Sequence, residues 1–129
     1  AVDGSKSVFL RGMDRIYLPI AHAEGQFIAR DADQLNQLEQ AGQLVLRYTS
    51  GTAESAAGFP RELLPFPVNP NGSQANVAGV CDATGRVLGL MPHPERHIDR
   101  THHPHWTRRP ADVQPDGLPL FQNAVEFFR

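Results

Sequence analysis

The apolar positions of the chain change period several times, and each change marks an element. Arg15-Ile16-Tyr17-Leu18-Pro19-Ile20-Ala21 is an almost continuous apolar run, the pattern of a buried strand. Pro19 near its middle lacks an N–H and places that strand at an edge or a bulge. His22-Ala23-Glu24-Gly25 then turns the chain. From Asp31 to Ala41 the period is helical: Asp31 suits the N-cap, Leu35 and Leu38 are three apart, and Gly42 fits the stop. Gln43 to Thr49 alternates Leu44, Leu46 and Tyr48 with Val45 and Arg47, which predicts a strand buried on both sides for part of its length. Ser50 to Gly72, rich in Gly, Pro, Ser and Asn, is a long connection of the kind that often carries function. Asn76–Cys81 and Arg86–Met91 read as two strands joined by the turn Asp82-Ala83-Thr84-Gly85, an antiparallel hairpin. His97 to Gly117 is polar and holds Pro104, Pro110 and Pro115, which predicts a surface excursion. Leu118 to Phe128 closes the chain as a helix, with Pro119 in its first turn and Phe121, Ala124, Val125 and Phe128 on one face.

Strands outnumber helices, and little is left to cover both faces of a sheet. The pattern therefore predicts part of an α/β domain rather than a whole one. The 129 residues suit one unit, residues 1–129, with a modest core. No internal repeat is present. A net charge of −2 and a pI near 6.3 leave no electrostatic footprint for nucleic acid or an anionic membrane. No apolar run approaches the roughly 18 residues of a membrane span, and the start, Ala1-Val2-Asp3-Gly4-Ser5-Lys6, shows no signal-peptide pattern. The single cysteine, Cys81, excludes an intramolecular disulfide, so a reducing, cytoplasmic setting is expected.

The residues with the clearest chemical meaning are His93 and Glu95, just past the strand Arg86–Met91, where open α/β sheets place their ligands. Pro92 and Pro94 are expected to hold the segment extended. Residues i and i+2 then face one side, so Glu95 can orient His93 as a carboxylate orients the imidazole of a nucleophilic triad. A plain surface loop with two polar residues fits the same letters. Cys81 lies in Gly79-Val80-Cys81-Asp82-Ala83, which mimics a nucleophile elbow, but an elbow needs a helix after its turn and here a second strand follows. If Cys81 opposes Arg86, it lies about seven residues along the strand from His93, on the order of 23 Å. It is read as a small core residue. The same register sets Ser73 and Gln74 across from His93, so the turn Asn69-Pro70-Asn71-Gly72-Ser73 should line the site, although its residues suit a tight turn equally well. His97, His102, His103 and His105 with Asp99 hold metal-ligating types at a spacing that matches no defined metal motif. A solvated loop with no bound metal is expected there. Trp106 beside Arg108 and Arg109 reads as a packed or partner-facing anchor.

Leu18-Pro19-Ile20-Ala21-His22-Ala23-Glu24-Gly25, Asn69-Pro70-Asn71-Gly72-Ser73 and Gly85-Arg86-Val87-Leu88-Gly89-Leu90-Met91-Pro92-His93-Pro94-Glu95-Arg96 occur in this order. From about Phe9 to Phe128 the chain resembles class I glutamine amidotransferases, and among them the glutaminase component of phosphoribosylformylglycinamidine synthase. The resemblance implies the C-terminal half of a flavodoxin-like α/β domain, with a mixed sheet, an antiparallel hairpin and few helices. It implies His93 as the general base for a cysteine and Glu95 as its orienting carboxylate. It sets His22, Glu24, Gly25 and Ser73 at the glutamine pocket, with Ala23 where a glycine is usual. It implies hydrolysis of glutamine through a cysteinyl thioester, with ammonia passed to a synthetase component that uses ATP and magnesium; no cofactor is expected in this chain. The family's nucleophile elbow precedes everything seen here, so the chain is expected to lack it and to meet a separate N-terminal half or to associate with itself through an exposed edge.

Three readings remain open on the residues alone. The chain is half of a glutaminase, active when the cysteine is supplied; or an interaction module that has lost its chemistry; or a histidine-rich metal-binding domain.

Overall fold

The computed structural model describes residues 1–21, 25–50 and 62–129. The first helix, α1 (Ala32–Gln40), begins where expected. The Asp31 carboxylate accepts from Gln34 N–H at 2.7 Å, and the Gln34 side chain reaches back to Arg30 N–H at 2.8 Å. It ends in a Schellman arrangement: Gln43 N–H donates to Leu38 C=O and Gly42 N–H to Glu39 C=O, with Gly42 at φ +66°.

The predicted strand from Gln43 to Thr49 pairs over two residues only, β1 (Leu46–Arg47). A register shift between Leu46 and Arg47 breaks the alternation. Leu44, Val45, Leu46 and Arg47 are buried in succession, so both faces are covered as the pattern predicts. Leu44 packs with Ala75, Val77 and the α1 leucines, while Val45 and Leu46 join Val2, Leu10, Ala78, Cys81 and Leu120. Arg47 sits among them with its guanidinium paired to Glu39 at 2.6 Å and donating to Ala75 C=O at 2.8 Å.

The hairpin is present as β2 (Val77–Cys81) and β3 (Leu88–Leu90), and the sheet runs β1–β2–β3 with both pairs antiparallel. No parallel pair, as a mixed sheet would have, occurs among the described residues. Its register differs from the expected one: Cys81 faces Leu88, not Arg86. The reason is Asp82. Its carboxylate accepts from the N–H groups of Thr84, Arg86 and Val87 and from the Thr84 hydroxyl, so Arg86 and Val87 belong to the turn. These bonds, the Thr84 hydroxyl first, hold the Asp82 carboxyl down at about 2. A shift of two residues keeps every side chain on its face, because the strand period is two. It also removes Gln74 from the position opposite His93, and the pairing ends at Met91 before His93 is reached.

One further expectation fails. Residues 15–21 form no strand. They run extended and half exposed, with Tyr17 and Ile20 open to solvent, and their backbone bonds go to loop residues rather than to a ladder. The last helix, α2 (Leu118–Phe128), is where it was predicted. Asn123 donates to the carbonyls of Phe9 and Arg11, which pins α2 to the turn Val8–Leu10 and buries Leu120. Phe121, Val125 and Phe128 therefore face outward, 45%, 58% and 63% exposed. The predicted excursion after His97 is wound into short 3-10 turns, Arg100–His102 and Trp106–Arg108. Among the described residues no helix is long and apolar enough to cross a membrane.

Candidate functional site

The last backbone bond of the hairpin runs from Met91 N–H to Ala78 C=O. Pro92 cannot extend the ladder, and His93 N–H turns aside to Pro19 C=O at 2.8 Å. Pro94 opens a 3-10 turn, Pro94–His97, with His93 as its N-cap. The segment is thus not extended as expected. The fixed φ of Pro94 suits the first position of a helical turn, and Arg96 N–H closes that turn on His93 C=O. The pairing survives by a different route: the N-cap His93 and the second turn residue, Glu95, meet with Nδ1 2.7 Å from Oε1.

A carboxylate can only accept, so Nδ1 carries the proton and Nε2 is left as the basic nitrogen. The His93 hydrogen bond is the main cause holding the Glu95 carboxyl below the usual range; Arg96 Nε, 3.8 Å from the same oxygen, adds to it. The side chains are 29% and 56% exposed, so the pair is reachable by a substrate.

Three residues that the sequence did not assign to the site hold this turn. His97, read as part of a solvated loop, is buried; its Nδ1 donates to Tyr17 C=O at 2.8 Å and its carbonyl accepts from Gly117 N–H. Asp116 accepts from Tyr17 N–H at 2.7 Å. Gly117 is the tightest contact: a Cβ there would lie 2.0 Å from Pro94 O and 2.7 Å from His97 O. Its φ of −81° is open to any residue, so the need for glycine is one of space alone. Only the Pro115-Asp116-Gly117 punctuation before the helix hinted at it. Gly117→Ala should push the Pro94–His97 turn away from α2 and cost about 1–3 kcal/mol. A lower melting temperature and a displaced His93 ring signal by NMR are expected; wild-type values for both would refute the contact.

The other candidates gather two residues back along the chain, around Met91. Asn71 bonds Gly25 C=O and lies 3.2 Å from Met91 Sδ, so it ties Gly25 to the end of β3. Ser73, expected opposite His93, is instead buried beneath Met91. Its hydroxyl accepts from Phe27 N–H at 3.0 Å and lies 3.8 Å from Met91 Sδ. The Gln74 side chain accepts from Ala29 N–H. His22 and Glu24 lie outside the described residues. A cavity of about 280 Å³ reaches Gly25 and Met91, and a groove of about 410 Å³ reaches Pro92.

Cys81 is a core residue, as expected. It is buried against Leu120 and Val45, burial pushes its thiol up, and its backbone is held by Gln43. In the observed register it lies about five residues along the strand from His93, on the order of 16 Å, still far beyond contact. Among the described residues, no group of three His, Cys, Asp or Glu is placed to hold a metal ion. His103 lies tilted between the rings of Tyr17 and His105, and Arg100 lies over the Trp106 ring.

A small antiparallel sheet with two helices is consistent with part of a class I glutamine amidotransferase α/β domain. Residues 1–128 match the family of CobB/CobQ-like glutamine amidotransferase domains, and the chain belongs to that family. Similar proteins include phosphoribosylformylglycinamidine synthase subunit PurQ of Dehalococcoides mccartyi, 37% identical over 97% of this chain and 44% of that protein. The subunit of the same name from Methanococcus maripaludis is 37% identical over 96% of this chain and 47% of its own. That from a Synechococcus species is 43% identical over 84% and 36%. The chain thus spans about half the length, or less, of these relatives.

Proposed function

We propose that this chain is the C-terminal part of the glutamine-hydrolysing component of phosphoribosylformylglycinamidine synthase, in de novo purine biosynthesis. The 2.7 Å contact between His93 and Glu95 carries the reading. In it, His93 Nε2 takes the proton of a cysteine thiol supplied from beyond these 129 residues. The thiolate attacks the side-chain carbonyl carbon of glutamine. His93 returns the proton to the departing nitrogen, ammonia leaves, and a thioester remains; water, deprotonated by His93, cleaves it to glutamate and regenerates the thiol. His22, Glu24, Gly25 and Ser73 belong to the glutamine pocket in this reading. Ammonia passes to the synthetase component, which uses ATP and magnesium; this chain needs no cofactor of its own and works in the cytoplasm.

The burial of Cys81 supports a corollary: these 129 residues hydrolyse no glutamine alone. Glutamate release should match that of a His93→Ala control. It should rise well above the control when the portion of the Dehalococcoides relative outside the matched region is added as a separate polypeptide. Release by the chain alone above the control would sink the reading. No release from the mixture would favour a module that keeps the family surface without its chemistry.

A further inference from the structure

The turn that carries His93 and Glu95 is held at both ends by one short piece of extended chain. At its N-cap, His93 N–H donates to Pro19 C=O at 2.8 Å; at its last residue, His97 Nδ1 donates to Tyr17 C=O at 2.8 Å. Tyr17 and Pro19 are two residues apart, so their carbonyls leave one side of the extended chain about 6.6 Å from each other. From His93 to His97 the turn rises about 8 Å at 3-10 pitch. Helical side chains lean back toward the N-terminus, which shortens the reach of the His97 ring toward that spacing. The extended piece is itself anchored: Tyr17 N–H donates to Asp116 at 2.7 Å, and Gly117 N–H donates to His97 C=O at 2.9 Å. Three hydrogen bonds thus close a circuit through Tyr17, Asp116–Gly117 and His97, and the imidazole is the one side-chain donor in it.

Stability alone does not explain an imidazole at this place. His97 is 1% exposed, with its ring centroid 6.1 Å from that of Tyr17 and 5.7 Å from that of His103. Its Nε2 is buried with no hydrogen-bond partner among the described residues, and desolvating that nitrogen offsets what the packing gains. A leucine would fill the space without that cost; what it lacks is the donor that fixes Tyr17. We propose that His97 is a positioning residue for the base: through Nδ1 and the carbonyls of Tyr17 and Pro19 it sets the pitch of the turn, and so the 2.7 Å contact with Glu95 that leaves Nε2 of His93 open for a proton. This rests on the function proposed above and deepens it. Buried as it is, His97 meets neither glutamine nor thiol; it acts on where the His93 ring points.

Two substitutions separate the donor from the packing. His97→Asn keeps an N–H close to where Nδ1 stood and loses the ring; His97→Leu keeps the apolar bulk and loses the donor. The first readout is the His93 ring by NMR of the chain alone. The parent and His97→Asn should carry the ring proton on Nδ1, as a Glu95-bonded imidazole does. In His97→Leu the Nδ1–H signal should be lost and the ring nitrogen shifts should move to those of a free histidine. The melting temperature of His97→Leu should be no lower than that of His97→Asn, so the loss is not one of stability. The second readout is glutamate release with the unmatched portion of the Dehalococcoides relative added. There kcat should fall by roughly 10- to 10²-fold in His97→Leu with KM unchanged, and far less in His97→Asn. Parental His93 signals in His97→Leu overturn the proposal, and so does an equal loss in both variants, which would make His97 a packing residue. If His97→Leu is unfolded by circular dichroism, His97→Asn decides: parental ring signals sustain the proposal and their loss overturns it. The ring is read without catalysis, so a complemented parent that releases no glutamate removes the function while the ring signals still decide the role of His97.

Discussion

Replacing His93 by alanine, in the chain complemented for activity, is expected to lower the turnover of glutamine by roughly 10²- to 10⁴-fold, the usual weight of a positioned acid–base group. The loss should fall on kcat, with KM little changed, because the imidazole moves protons in the transition state and is not read here as a glutamine-binding group. Glu95→Gln should cost less, because the ring remains. Its amide can donate to Nδ1, however, which would move the ring proton to Nε2 and occupy the basic nitrogen. The Glu95 carboxyl is held below the ordinary range, so it stays ionised throughout the neutral range, and the activity should not show the ionisation of a free carboxylic acid there. A His93→Ala variant as active as the parent would remove the pair from the mechanism.

The largest loss of stability should come from Glu39→Ala. Arg47 is buried, its side chain 2% exposed, and Glu39 is its 2.6 Å carboxylate partner at 26%. Truncating Glu39 leaves a cation in the core with one ionic partner fewer. Breaking a buried pair this way costs about 3–5 kcal/mol, with the lower end apt here because Glu39 is partly solvated. Arg47→Met, which removes the charge and fills the space with an apolar chain, should cost less than Glu39→Ala although it changes the more buried residue. Denaturant melts of the two variants give the order, and the reverse order would mean that Arg47 serves mainly as packing.

Local signals carried well from sequence to structure. The cap at Asp31, the glycine stop at Gly42 and the helical period from Leu118 each depend on neighbours within a turn, and each was legible. So was the hairpin, although not its register, because a carboxylate that gathers three backbone amides lengthens a turn invisibly to pattern. The strand expected over residues 15–21 does not form for a nonlocal reason: the backbone partners it has are loop groups of His93, His97 and Asp116. Which side of α2 docks was not read from the sequence, because Asn123, a polar residue, decides it. At the site, His93 and Glu95 were legible as a pair by their flanking prolines, while the geometry that joins them was not. The roles of His97 and Gly117 were barely legible, since one was read only within a solvated histidine-rich loop and the other's constraint is a contact with residues twenty positions away.

The bonds around that turn also set an order of events. Tyr17 and Asp116 are 99 positions apart, and Asn123 reaches Phe9 across 114. Contacts at such separation carry the greatest loop-closure cost and tend to form late. Emerging from the ribosome, His93 and Glu95 would appear well before Asp116, Gly117 and α2, and would have no scaffold until those arrive. The His–Glu turn is therefore assembled among the last features of the fold, and a nascent or partly unfolded chain would hold the letters of the motif without its geometry.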